Sequence, residues 1–216
     1  MTQVQFIRRV LKPAVFIIAL IPAALLVRDF FQGDLGANPI EEITHRTGTW
    51  ALTFLMITLS VTPMRRLLGI GALVHLRRML GLFAFFYVSL HFLTYIVLDQ
   101  FFELPAIVED IAKRPYITVG FASFLTLIPL ALTSTNRMVK RLGGRRWQRL
   151  HRLIYVAAAG GVLHFLWQVK VEEPRPIIYG LILVVLLGYR IREQRLQARK
   201  ARRAPRRAAP APVGSS

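Results

Sequence analysis

Six apolar runs recur along the chain, and the loops between them alternate in charge. The runs are Pro13 to Val27, Thr49 to Pro63, Met79 to Leu98, Tyr116 to Thr133, Leu153 to Val169 and Ile177 to Tyr189. A segment crossing about 30 Å of hydrocarbon must satisfy every backbone polar group internally, which a helix does with a single stretch of chain. Several runs are nearer to about 15 residues than the roughly 20 a spanning helix wants. Tilt, local bilayer thinning and snorkelling Lys or Arg side chains cover the difference. A hydrophobic fraction of 54% and a mean hydropathy of +0.46 agree with a chain that lives in lipid. The expected fold is all-α, an integral membrane six-helix bundle over residues 1–192. A basic tail over 193–216, rich in Arg, Ala and Pro without apolar periodicity, is expected to be disordered and to touch anionic lipid.

Charge orients the bundle. Arg8, Arg9 and Lys12 precede the first run, Arg65, Arg66, Arg77 and Arg78 fill the second connection, and Arg137, Lys140, Arg141, Arg145, Arg146, Arg149 and Arg152 fill the fourth. More basic residues follow from Arg190 to Arg207, while all of the 11 acidic residues except Glu193 fall on the other side. The positive-inside rule therefore puts both termini and the even-numbered connections in the cytoplasm. On this pattern the net charge of +18 is a topology signal. A nucleic-acid surface would gather its basic residues on one soluble face, whereas these alternate with spanning runs. The Arg8-Arg9-Val10-Leu11-Lys12 stretch is similar to a twin-arginine signal, but no A-x-A cleavage site follows, and the remaining topology is the same with or without cleavage.

The chain has no cysteine, so it offers no thiolate metal site, covalent heme attachment or iron–sulfur ligand. A redox cofactor would be held by histidine or noncovalently. His91, His151 and His164 lie within or at the edge of apolar runs, where an ionisable side chain is costly and marks function by default. His91 lies past the middle of the third run, toward the outer side. The fifth run has the same direction and carries His151 at its entrance and His164 thirteen residues later. His91 and His164 should therefore share a depth, as a pair of imidazoles holding one low-spin heme iron requires.

Thirteen residues rise about 20 Å, enough to separate two stacked hemes, which makes His151 a candidate ligand of a second, inner heme, but they also leave the two side chains roughly 140° apart on a straight helix. Gly160 and Gly161 lie between them and would permit a bend or a close approach of a flat macrocycle. The third run offers no imidazole opposite His151: the corresponding positions are Arg77 and Arg78, and His75 is in the loop. Arg77 and Arg78 are candidates to pair a heme propionate or a flavin phosphate. For any single histidine the plainer alternative is a hydrogen bond between helices, worth about 0.6 to 2 kcal/mol in a membrane. His45, at the outer mouth of the second run, is an interface histidine or an exit point for electrons.

The six-helix plan, His91, His164 and the stretch Arg145-Arg146-Trp147-Gln148-Arg149-Leu150-His151-Arg152-Leu153 resemble the ferric reductase-like transmembrane domain shared by NADPH oxidases and ferric reductases. Thr44-His45-Arg46-Thr47-Gly48, Arg77-Arg78-Met79-Leu80-Gly81-Leu82, Leu132-Thr133-Ser134 and the Trp147 to Tyr155 segment resemble, within that superfamily, the MsrQ (YedZ) family. This resemblance covers about residues 10 to 190. It implies a heme-binding subunit of a methionine sulfoxide reductase system in the bacterial inner membrane. It further implies heme b and FMN as cofactors, the quinone pool as donor and the periplasmic molybdenum enzyme MsrP as acceptor.

The chain departs from the eukaryotic oxidases in that no flavin and nicotinamide domain is expected after the sixth helix. It also has Arg at the inner position of the third run, so a second bis-histidine heme is not expected to match theirs. No bond chemistry on methionine sulfoxide is expected on this chain. The other readings are a cytochrome b subunit of a different periplasmic reductase, a direct ferric or cupric reductase, and a heme-free scaffold whose histidines relay protons.

Overall fold

The computed structural model describes residues 2–169 and 173–203, and among these the regular structure is helical. Six long helices are present: α1 (Gln3–Gln32), α2 (Pro39–Leu67), α3 (Gly71–Asp99), α5 (Pro115–Leu132), α7 (Gly144–Gln168) and α8 (Arg175–Arg203). Two short ones, α4 (Leu104–Lys113) and α6 (Asn136–Leu142), lie in the connections. Four of the long helices, α1, α3, α5 and α7, are long and apolar enough to cross a membrane by length and composition. The protein is a membrane protein built from helices.

The six expected spanning helices thus correspond to six long helices, of which four carry the hydropathy of a span. The other two differ for separate reasons. α2 is the central helix: Ala51, Leu52, Phe54, Leu55 and Met56 are all buried, so its neighbours are protein more than lipid. It is also rich in threonine, and Thr47, Thr53 and Thr58 each donate to the carbonyl four residues back, which pairs these three hydroxyls within the helix. In α8 only the stretch between Arg175 and Arg190 is apolar. By contrast α1 turns Ile17, Ile18, Val27 and Phe16 outward, and α8 does the same with Leu181, Val184 and Val185. Exposed in water such faces would be an aggregation liability, whereas in a bilayer they meet lipid.

The helices outrun the apolar runs because their ends are capped by polar residues. Asn38 caps α2, its Oδ1 accepting from the Glu41 amide at 3.4 Å, and Pro39 takes the first position, where no amide donor is needed. α8 continues to Arg203, so residues 193–203 are helical and the tail expected to be disordered from 193 does not begin there. The segment Gln194 to Arg203 is made of Arg, Lys, Gln, Ala and Leu, which are strong helix formers even without an apolar face. Residues 204–216, the remainder of that expected tail, lie outside the described residues.

α2 packs along α3, and α5 along α7, giving two antiparallel pairs that α8 braces from the side of α2 and α7. Tyr87 on α3 locks α1 onto the bundle. Its hydroxyl donates to Ala19 O at 2.7 Å and accepts from Ala23 N at 3.2 Å, entering the α1 hydrogen-bond ladder next to Pro22. The ring stacks on Phe54 of α2, with centroids 5.3 Å apart and planes 7° apart.

Candidate functional site

His91 on α3 and His164 on α7 meet between the two helix pairs, with ring centroids 6.1 Å apart and planes at 73°. His91 Nδ1 lies 3.0 Å from the carbonyl oxygen of Thr44, and His164 Nδ1 lies 2.7 Å from that of Tyr116. A carbonyl only accepts, so both rings must carry their proton on Nδ1, and a neutral ring then keeps its lone pair on Nε2. An outer hydrogen bond of this kind fixes the tautomer and orientation of an imidazole that binds a metal.

The two half-sites repeat the same device. Thr44 and Tyr116 each stand in the opening turns of their helix, each four residues ahead of a glycine, Gly48 and Gly120. The histidine follows its carbonyl partner by 47 residues in one half and 48 in the other. A Cβ at Gly48 would sit 3.1 Å from the His91 ring, and one at Gly120 would sit 2.8 Å from His164 Nδ1. Only glycine lets each imidazole lie against the backbone of the neighbouring helix and reach the carbonyl behind it. This repeat was missed in the sequence reading, although its spacing is a signal that could have found it.

The pair lines a cavity of about 540 Å³, a size that holds a cofactor. Leu52, Val88, Phe92, Phe124, Leu127 and Phe165 make its walls apolar, while Asn38, Glu41, His45 and Arg114 surround its mouth. Gly161 lines it as well, but Gly160 does not open a bend: α7 is regular from Ile154 to Gln168, and a Cβ at Gly160 would overlap Ser123 Oγ on α5. These two glycines serve close helix packing.

His151 occupies the opposite end of the bundle. It begins a single 3-10 turn, His151–Leu153, and its ring stacks on Trp147 at 3.8 Å between centroids. Its Nδ1 lies 3.1 Å from Trp147 O and its Nε2 lies 3.4 Å from Ser134 Oγ. Trp147 Nε1 donates to Thr133 O at 2.9 Å, so the Leu132-Thr133-Ser134 element and the Trp147 to Tyr155 segment are one contact region. Arg78 joins it, donating to Asn136 Oδ1 at 2.7 Å, whereas Arg77 turns toward Tyr155 and Arg190. Thus His91 and His164 are brought together, and His151, Arg77 and Arg78 form a separate basic end.

Outside the spanning helices, Glu173 is held by a two-pronged contact with Arg175 at 2.7 and 2.8 Å. The guanidinium beside it brings its carboxyl down to about 2.

The apolar cavity with two opposed, carbonyl-anchored imidazoles agrees with what this chain is similar to. The ferric reductase like transmembrane component family matches residues 47–162. A relative from Herminiimonas arsenicoxydans, called protein-methionine-sulfoxide reductase heme-binding subunit MsrQ, is 55% identical over 183 residues, 84% of each chain. The chain belongs to the MsrQ family. MsrQ relatives from Rhodospirillum rubrum (52% identical, covering 89% of this chain and 92% of the relative) and Xanthomonas euvesicatoria pv. vesicatoria (50%, covering 94% of each) bear the same name. The family match closes at residue 162, just short of His164, whereas these longer MsrQ alignments cover most of each chain.

The residues present fit a heme. Metal–imidazole bonds are about 2.0 to 2.1 Å, so two rings bound through Nε2 to opposite faces of one metal have centroids on the order of 6 Å apart. The observed 6.1 Å matches that spacing. The Cβ-free approaches at Gly48 and Gly120 keep the carbonyl-anchored rings in place for it.

Proposed function

We propose that the protein carries electrons across the bacterial inner membrane, with His91 and His164 as the residues that would hold heme b. Both termini lie in the cytoplasm, and the mouth bearing His45 and Glu41 opens to the periplasm. The observation that carries this reading is the pair of Nδ1-anchored imidazoles facing one another across an apolar cavity. Heme b held there supplies a one-electron carrier in the outer half of the membrane. Thr44 and Tyr116 hold the ring protons on Nδ1, which leaves Nε2 basic enough to ligate. The apolar wall excludes water from the space between the two imidazoles.

At the basic end, Arg77 and Arg78 are proposed to pair a heme propionate or the phosphate of FMN, a cofactor that the family resemblance implies. The quinone pool is the donor and MsrP, a periplasmic molybdenum-cofactor subunit, is the acceptor, in repair of methionine sulfoxide on oxidised envelope proteins. Oxidation turns an apolar methionine polar, and its repair outside the cytoplasm needs reducing equivalents delivered through the membrane. The chain does no bond chemistry on the sulfoxide itself.

The test is quinol-dependent reduction of a methionine sulfoxide peptide by MsrP, with this chain supplied in detergent. Turnover is expected to need the chain and to fall at least tenfold with His91→Ala. Turnover unchanged without the chain would refute the assignment. Reduction of a different periplasmic partner in place of MsrP would favour a cytochrome b subunit of another reductase.

A further inference from the structure

At the acidic end, the connection between α3 and α5 leaves an apolar edge uncovered. Phe101 is 72% exposed, Phe102 62%, Leu104 68% and Val108 66%. Leu104, Val108 and Ala112 follow one another at intervals of four, so they form one stripe along α4. The adjoining stripe turns to the bundle, where Ile107 is buried and Ile111 lines the cavity. Asp110 completes this inner side, accepting from the Tyr95 hydroxyl at 3.4 Å and pairing with Arg114 at 3.3 Å. Glu109 and Lys113 pair with each other on the remaining side, where both are exposed. Around its axis α4 therefore has an edge on protein, a polar edge, and an apolar edge that the described residues do not cover.

The turn into α4 extends that apolar edge under strain. Phe101 and Phe102 have φ of 46° and 62°, the left-handed region that glycine enters freely and a residue with a Cβ does not. Phe102 N donates to Ile96 O at 2.9 Å and Glu103 N to Gln100 O at 2.8 Å, which holds the pair in place. Strain kept for two exposed aromatic residues points to a contact that uses them.

We propose that Phe101, Phe102, Leu104 and Val108 seat α4 in the lipid surface at the acidic end, as an in-plane helix whose apolar edge enters the boundary between headgroups and acyl chains. Its place in the chain sets the level. α3 is helical to Asp99 and α5 begins at Pro115, and both have the length and hydropathy of a span. Residues 100–103 on one side and Arg114 on the other are all that separate α4 from the points where these helices leave the bilayer. A helix lying there meets water on its polar edge and lipid on its apolar edge, the order in which Glu109 with Lys113 and Leu104 with Val108 stand across α4. A soluble partner would approach from the water side and meet the polar edge instead. The stretch from Glu103 to Arg114 holds three acids and two bases, so apolar burial seats it rather than attraction to anionic headgroups. Because Ile111 and Arg114 line the cavity, the lipid surface then helps to fix its mouth.

The chain has no cysteine, so a spin label can be placed singly in the full chain through Leu104→Cys, Val108→Cys, Glu109→Cys or Lys113→Cys. Each variant is reconstituted in phosphatidylcholine nanodiscs, and the accessibility of its label to oxygen and to a water-soluble nickel chelate reads its depth. Labels at 104 and 108 are expected about 5 to 10 Å below the lipid phosphates, and labels at 109 and 113 in water. Ala112→Cys reads the same apolar edge if one of the first two variants does not fold. Adding Leu104→Ser to the Val108→Cys variant should move the label at 108 toward water. Labels at 104 and 108 as accessible to the chelate as those at 109 and 113 would overturn the lipid seat and favour a protein partner for this edge.

Discussion

The two ends of the bundle both hold histidine, yet they use it differently. At the acidic end, His91 and His164 each spend one nitrogen on a backbone carbonyl and keep the other free toward a shared cavity. At the basic end, His151 has both nitrogens within reach of partners, Trp147 O and Ser134 Oγ, and its face is covered by the indole of Trp147. A histidine in an apolar helix is therefore informative only with its second nitrogen accounted for. The first arrangement has the geometry proposed above for holding heme; the second is a hydrogen-bonded joint between α7 and the end of α5.

Crowding the acidic end should have the largest effect. Gly120→Ala brings a methyl within 2.8 Å of His164 and Gly48→Ala brings one within 3.1 Å of His91. Overpacking of this kind costs about 1 to 3 kcal/mol. Heme retained per chain should fall about tenfold for Gly120→Ala and less for Gly48→Ala. Gly161→Ala, whose Cβ meets Leu52 at an ordinary 3.5 Å, should retain it. Equal retention in all three would remove the glycine seats from the comparison.

Tyr87→Phe should come next. It strips the hydroxyl that bridges Ala19 O and Ala23 N, and loss of such a buried bond costs about 1 to 2 kcal/mol, read as a lowered melting temperature. Heme content should stay near wild type, since the Tyr87 hydroxyl fastens α1 and the residue does not line the cavity. A parallel loss of heme would show that the α1 joint and the cavity are one unit.

At the basic end, His151→Ala should keep heme within about twofold of wild type, because nothing at His151 reaches the cavity, and should mainly loosen the contact of α7 with Ser134.

The smallest effect belongs to the surface. The Glu173 carboxyl is held at about 2, below its ordinary 4.5, by Arg175. Its stabilising contribution is complete above the unfolded value and disappears as pH falls toward 2. Glu173→Gln should therefore differ slightly from wild type in melting temperature at neutral pH and converge with it in acid. A difference that grows in acid would have the wrong sign for this ion pair.

Much of the acidic end was legible in the sequence. Alternating basic and acidic loops made the third and fifth runs parallel, and that alone put His91 and His164 at one depth. Of the carbonyl partners and the glycine seats the sequence carried only the 47- and 48-residue spacing, because what a glycine does depends on the side chain facing it from another helix. The angular mismatch of His151 with His164 was legible, and the structure keeps the two histidines apart. The helix through Arg203 was hidden for a different reason: a basic segment without an apolar face reads as a tail, although Arg, Ala and Gln favour helix.

The most direct measurement is the reduced-minus-oxidised absorption spectrum, with heme content by extraction, of wild type, His91→Ala, His164→Ala and His151→Ala purified in detergent after expression with ample heme. The expected result is a b-type spectrum that disappears in both His91→Ala and His164→Ala and persists in His151→Ala. A colourless, heme-free wild type, or a spectrum unchanged by loss of either His91 or His164, would contradict the assignment of that pair as the ligands.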